Sequence, residues 1–118
     1  MDVLALHGRL GVAIGLYFAA LGGWGLVLGA SGSGPTPSFR GAIVIAEVVI
    51  VLQGALGGFL ALRVAPEWIH VLYGLALLAA MPLAATVVRE YSPRRASFAL
   101  GLAALFAAGL AVRGITTA

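Results

Sequence analysis

Long apolar stretches separated by short polar segments dominate this chain of 118 residues. A helix needs about 20 apolar residues to cross a hydrocarbon core roughly 30 Å thick. The pattern predicts four membrane-spanning helices, near residues 10–30, 41–62, 68–88 and 98–115. Short connections between them favour antiparallel neighbours. We therefore expect an all-α fold, an integral membrane antiparallel four-helix bundle that forms a single domain.

The composition agrees with a bilayer as the surroundings of this chain. Hydrophobic residues make up 62% of the sequence, charged residues only 9%, and the mean hydropathy is +1.10. The absence of cysteine excludes thiolate metal sites, c-type haem attachment and disulfides. The basic residues are scattered through the predicted loops, which indicates membrane topology rather than nucleic-acid binding.

The arginines also predict an orientation. Cytoplasmic loops carry an excess of basic residues. Four arginines fall on one side of the predicted bundle, and they are Arg40, Arg89, Arg94 and Arg95. Three fall on the other side together with the N-terminus, and they are Arg9, Arg63 and Arg113. We expect both termini to lie outside a prokaryotic cell membrane.

Two histidines, His7 and His70, stand at the start of helices 1 and 3. These helices run parallel in an up-down bundle, so the two imidazoles should lie at the same depth and face each other. A low-spin haem takes two imidazoles as axial ligands to its iron, and bundles build such sites between facing helices. Gly11 and Gly74 lie four residues after the histidines, on the same helical faces, where a larger side chain would collide with a flat macrocycle. The sequence thus predicts a b-type haem bound by His7 and His70.

Helices 2 and 4 should end on the side of the histidines. This places Arg9, Arg63 and Arg113 around the predicted haem, where guanidinium groups suit the propionate carboxylates. The alternative role for each arginine is that of a solvated topology marker. Glycines have an alternative role too, because small residues four apart let membrane helices pack closely. Three glycine pairs have this spacing, Gly11–Gly15, Gly25–Gly29 and Gly54–Gly58.

Two polar residues lie deeper in helix 2. By helical rise Glu47 is about 9 Å inside the face opposite the histidines. An unpaired carboxylate there costs a few kcal/mol, so Glu47 must be protonated, paired with an arginine, or exposed to a watery cavity or a partner. Proton uptake and quinone contact are the candidate functions. Gln53, near mid-membrane, is expected to hydrogen-bond to another helix.

The stretch 51–62, VLQGALGGFLAL, followed by 68–76, WIHVLYGLA, resembles the glutamine and double-glycine helix and the next histidine helix of the heme A synthase family. The opening HGRLG at 7–11 is a looser match. In that family each half is a four-helix bundle that holds one haem between two histidines, and half-length members exist. The resemblance therefore implies that His7 and His70 are axial ligands.

This chain departs from the family in the motif around its first histidine. The family has Glu-x-x-His-Arg, whereas Leu4 stands three residues before His7 and Gly8 follows it. We therefore expect electron transfer, with a redox partner protein or a quinone, rather than synthase chemistry. Alternatives are a haem-modifying protein, a proton-coupled transporter that uses Glu47, and a structural subunit of a membrane complex. A homodimer or a subunit of a larger assembly fits any of them.

Overall fold

The computed structural model describes residues 2–117, and these form four long helices. Helix α1 spans Val3–Ala30, α2 Pro37–Ala61, α3 Trp68–Val87 and α4 Pro93–Thr116, with a short 3-10 turn at Val88–Glu90. Within that range there is no strand. Each of the four helices is long and apolar enough to cross a membrane. The expected all-α fold with four helices of this kind is confirmed.

Three helices begin earlier than their apolar stretches predict. Asp2 caps α1 and accepts a hydrogen bond of 2.7 Å from the amide three residues later. Thr36 caps α2 in the same way at 3.1 Å. Proline occupies the first helical position of α2 and of α4, at Pro37 and Pro93. The helices thus start before the apolar stretches at 10, 41 and 98, because capping residues and prolines set where a helix begins, whereas hydropathy marks only where it becomes apolar.

The closest packing in the molecule joins α1 to α4. A Cβ atom added to Gly25 would lie 2.6 Å from the Cα atom of Gly101, so the two backbones are in direct contact. Other α1 glycines also face α4, and the pairs are Gly11–Ile115, Gly15–Ala111, Gly22–Leu105 and Gly29–Phe98. Their numbers rise along α1 and fall along α4, so these two helices are antiparallel.

Polar contacts close one end of this α1–α4 seam. Arg94 donates from Nε to the carbonyl oxygen of Gly29 at 2.9 Å. Ser97 is fully buried and donates its hydroxyl to the carbonyl oxygen of Ser33 at 2.7 Å. Arg94 thus adds a second hydrogen bond to a carbonyl that also accepts from the amide of Gly32, and Ser97 pairs a carbonyl in the segment that follows α1.

The remaining helices complete the core and leave an apolar exterior. Tyr17 on α1 donates its hydroxyl to the carbonyl oxygen of Ala42 on α2 at 2.7 Å. The largest fully buried apolar side chains come from all four helices, and they are Phe18, Phe39, Met81 and Leu100. Many large apolar side chains lie on the outside, among them Leu16 at 69% exposure and Val27 at 65%. Helix α3 stays helical through Pro82.

Gly25→Ala is expected to lower the free energy of unfolding by about 1–3 kcal/mol, because the new methyl group has no space against the backbone of Gly101. Gly23→Ala is the matched control, since a Cβ at Gly23 meets nothing within 4 Å. Thermal unfolding of both variants in detergent, followed by circular dichroism, checks this. Equal melting temperatures for the two variants would contradict the assigned role of Gly25.

Candidate functional site

His7 and His70 lie side by side at one end of the molecule. His7 is the fifth residue of α1 and His70 the third residue of α3. Their ring centroids are 6.1 Å apart and the ring planes form an angle of 71°. Both residues are half-buried. The structure thus brings together, from two different helices, the two residues that the sequence singled out.

A backbone carbonyl of α4 orients His70. Its Nδ1 atom lies 2.7 Å from the carbonyl oxygen of Gly114. A carbonyl oxygen only accepts, so Nδ1 carries the hydrogen and donates it. In the neutral ring this leaves the lone pair on Nε2. Metal-binding histidines are commonly held in this way, with the non-ligating nitrogen bonded to a carbonyl or a carboxylate.

Gln53 on α2 lies against the backbone of His7. Its Nε2 atom donates to the carbonyl oxygen of His7 at 2.7 Å, which is the cross-helix hydrogen bond expected of Gln53. Two atoms of this pair are buried without a hydrogen-bond partner among the described residues: Nδ1 of His7 and Oε1 of Gln53. Buried polar atoms are rarely left unpaired. The two atoms belong to side chains that lie together, so each is available to the other as donor or acceptor.

Space around His7 depends on Gly57 rather than on Gly11. A Cβ added to Gly57 would lie 3.2 Å from Cε1 of His7. Any residue larger than glycine at this position would therefore push the His7 ring out of its place. Beside Gly11, an added Cβ would instead lie 3.3 Å from Nε2 of Gln53 and 3.7 Å from Ile115. The clearance expected at Gly11 is thus filled by protein, because α2 and α4 cover that face of α1.

Open space does exist at other glycines near the histidines. Gly74 follows His70 by one turn, and a Cβ added there would meet no described atom within 4 Å. The same is true of Gly54 and Gly58 on α2. Close helix packing therefore explains Gly25 and Gly29, but it does not explain these three positions.

All three arginines assigned to the predicted site are exposed. Arg63 lies over the ring of Phe59, 5.0 Å from its centroid. Arg113 lies 5.5 Å from the ring centroid of Tyr73 and directly precedes Gly114, the partner of His70. Arg9 follows His7 by two residues. All three arginines are near the histidine end. Each arginine is a cation, so it forms no ion pair with a histidine.

The donor set limits the kind of metal that this end of the molecule can hold. Within residues 2–117 no group of three or more His, Cys, Asp or Glu side chains converges. Two imidazoles are enough only when a bound group supplies the other ligands, as a porphyrin does with its four nitrogens. A metal–imidazole bond is about 2.0 Å long, so imidazoles on opposite sides of one ion have ring centres roughly 6 Å apart. The spacing of His7 and His70 matches this value.

Glu47 lies in the other half of α2, away from the histidines. Its Oε1 atom is buried and receives no hydrogen bond from any described residue, arginines included. The residue lines a cavity of 460 Å³ between α2 and α3. The sequence left pairing with an arginine as one possible role of Glu47. Among the described residues, the structure shows no such pairing at Oε1.

The carbonyl of Gly114 is a site component that sequence reasoning missed. A backbone oxygen has no signature of its own in the sequence. Comparisons with protein-family models, curated proteins and solved structures found no match to this chain. The resemblance to the heme A synthase family stays a prediction.

Gln53→Leu is expected to lower the free energy of unfolding by about 1 kcal/mol, since it removes an interhelical hydrogen bond within the apolar region. Thr86→Val serves as the control, because the Thr86 hydroxyl bonds only to the carbonyl oxygen of Pro82 in its own helix. Thermal unfolding in detergent is the measurement. A Gln53→Leu variant as stable as Thr86→Val would show that the bond to His7 contributes nothing.

Proposed function

We propose that this protein is a membrane-embedded b-type cytochrome that binds one haem through His7 and His70 and transfers electrons. The observation that carries the proposal is the juxtaposition of two imidazoles from different helices, with ring centroids 6.1 Å apart. The hydrogen bond to Gly114 leaves Nε2 of His70 free to ligate. The ring of His7 lies beside that of His70, on a different helix.

The proposed setting is a prokaryotic cell membrane, which the helices cross as an antiparallel four-helix bundle. The length and apolar character of the helices support this, as do the exposed apolar side chains on the exterior. With both termini outside, the histidines would lie near the external face. The arginine distribution supports that orientation.

Each part of the histidine end has a task in this proposal. His7 and His70 hold the iron, Gln53 and Gly114 hold the histidine helices in place, and Gly57 leaves room for the His7 ring. The exposed glycines at this end, Gly54, Gly58 and Gly74, would leave space for a flat macrocycle. The nearby arginines, Arg9, Arg63 and Arg113, suit its propionates. When bound, the haem supplies one-electron redox chemistry, while the protein sets its ligands, polarity and access.

Electron transfer is preferred to haem modification because of the residues around His7. The heme A synthase family, which the chain resembles, has a glutamate three residues before its first histidine, and this chain has Leu4. Asp2, the carboxylate that precedes His7, is five residues away from it and therefore at a different helical position. The electron partner is a quinone or a redox protein, and the cytochrome acts alone, as a homodimer, or within a larger membrane complex.

His7→Ala and His70→Ala are each expected to abolish the low-spin haem signal, because a single imidazole leaves one axial position open. His70→Met is expected to keep a low-spin haem with a higher midpoint potential, since methionine can serve as an axial ligand. Reduced-minus-oxidised absorption spectra of the purified variants in detergent check this. Bis-imidazole spectra retained in both alanine variants would overturn the ligand assignment.

Gly74→Leu tests whether Gly74 leaves space for haem or only lets the helices pack. The position faces open space, so the larger side chain should leave the melting temperature of the haem-free protein within about 2 °C. We expect the same variant to lose haem, because the leucine side chain fills the space that the macrocycle needs. Haem titration, followed by absorbance, is the measurement. Unchanged haem affinity would show that the macrocycle does not lie against this face of α3.

A further inference from the structure

A polar cavity lies at the end of the molecule opposite the histidines, where α2, α3 and α4 meet. Its volume is 410 Å³, which is within the usual range for small-molecule sites. Arg40, the fourth residue of α2, and Arg89, in the 3-10 turn after α3, both line it, and both are exposed. Polar atoms make up the larger part of its exposed surface. Two cations therefore border one polar recess at this end of the bundle.

The other two arginines of this end have partners within the protein. Arg94 donates to a backbone carbonyl of α1, and Arg95 lies over the ring of Tyr91, 4.4 Å from its centroid. Among the described residues, neither the guanidinium of Arg40 nor that of Arg89 has a hydrogen bond, a salt bridge or an aromatic ring of this kind. The hydrogen-bond donors of both groups are thus available to a ligand.

The cavity has no acidic side chain of its own among the described residues that line it. Glu90 follows Arg89 directly, but it is exposed and is not part of the lining. Glu47 is seven residues after Arg40, which is about 10 Å further along the axis of α2. Guanidinium groups form forked, charge-assisted hydrogen bonds to phosphate and carboxylate oxygens. The cavity is therefore suited to an anionic group.

The apolar groove between α2 and α3 continues from this cavity. The two share Ala85, and the groove runs along residues 43–52 of α2. Nine residue steps of a helix are about 13 Å long, close to half of a hydrocarbon core roughly 30 Å thick. Val44, Val48 and Val51 line the groove and are exposed, so it opens to the exterior of the bundle. A ligand with an anionic head and a hydrocarbon chain would thus have a place for each part.

We propose that this cavity binds the headgroup phosphate of an anionic phospholipid, with Arg40 and Arg89 as donors to its oxygens and one acyl chain in the groove. Basic pockets between membrane helices on the cytoplasmic side bind anionic headgroups in this way. The orientation expected from the arginines puts the cavity on that side. A free phosphate ion would suit the guanidinium groups but would make no use of the groove. The inference rests on the proposed function in one respect only, that the helices cross a membrane, and it does not depend on haem.

The test is native mass spectrometry of the purified protein in a neutral detergent, titrated with dioleoyl phosphatidylglycerol or dioleoyl phosphatidylcholine. The two probes have the same chains, but only phosphatidylglycerol has a net negative charge. We expect the first phosphatidylglycerol molecule to bind about tenfold more tightly than phosphatidylcholine, because two arginines attract it. Equal affinity for the two lipids would overturn the proposal.

Arg40→Gln and Arg89→Gln are each expected to weaken phosphatidylglycerol binding about fivefold, and the double variant should lose the preference for it. Arg95→Gln is the matched control, because it removes the same charge from the same end and Arg95 does not line the cavity. The control should bind like the wild type. A loss in Arg95→Gln as large as in Arg40→Gln, or a preference retained in the double variant, would contradict the assignment.

Ala85→Phe narrows the junction of cavity and groove and leaves every charge in place. We expect it to weaken phosphatidylglycerol binding about tenfold, because the acyl chain loses its apolar contacts. Glycerol 3-phosphate, which has an anionic head and no chains, should not compete with the lipid. Competition by glycerol 3-phosphate at concentrations equal to those of the lipid, with normal lipid binding by Ala85→Phe, would show that a soluble anion is the ligand and overturn the lipid assignment.

All of these variants keep both histidines, so absorption spectra of the same preparations separate the two proposals. A preference for phosphatidylglycerol in a protein without a haem spectrum would refute the cytochrome alone. A haem spectrum in a protein without lipid preference would refute the phospholipid site alone.

Discussion

The contact between the backbones of α1 and α4 determines how the rest of the molecule is placed. At Gly25 and Gly101 the two helices approach so closely that no side chain fits between them. Such closeness lets two apolar helices gain dispersion energy that lipid-facing side chains do not supply. Because α1 carries His7 and α4 carries the carbonyl of Gly114, this contact also sets the positions of two parts of the histidine site.

The other two helices are held less tightly, and hydrogen bonds join each of them to the α1–α4 pair. Helix α3 reaches α4 through His70 and Gly114, and α2 reaches α1 through Gln53 and His7. Between α2 and α3 the packing leaves a groove with an apolar surface, and Glu47 is among the residues that line it. Gln53 and Glu47 thus lie in opposite halves of α2.

The number of helices and the proximity of the two histidines could be predicted from the sequence, because hydropathy counts spans and short loops bring alternate helices to the same depth. Helix starts could not be predicted this way, since Asp2, Thr36 and two prolines set them locally. The rotation of each helix about its own axis could not be predicted from the sequence either. These helices are apolar on all sides, so no polar face indicates which glycine points inward. For that reason the neighbours of Gly11 and the role of Gly57 emerge only from the packing.

The bond from His70 to Gly114 ties a histidine to a helix end. Gly114 lies in the last turn of α4, and its carbonyl oxygen also accepts a hydrogen bond of 3.3 Å from Oγ1 of Thr117. The ring of His70 therefore shares its acceptor with a side chain at the end of α4. The bond to Gly114 also means that the orientation of His70 depends on whether the last turn of α4 stays wound. A helix end thus fixes which nitrogen of a side chain on another helix carries the hydrogen.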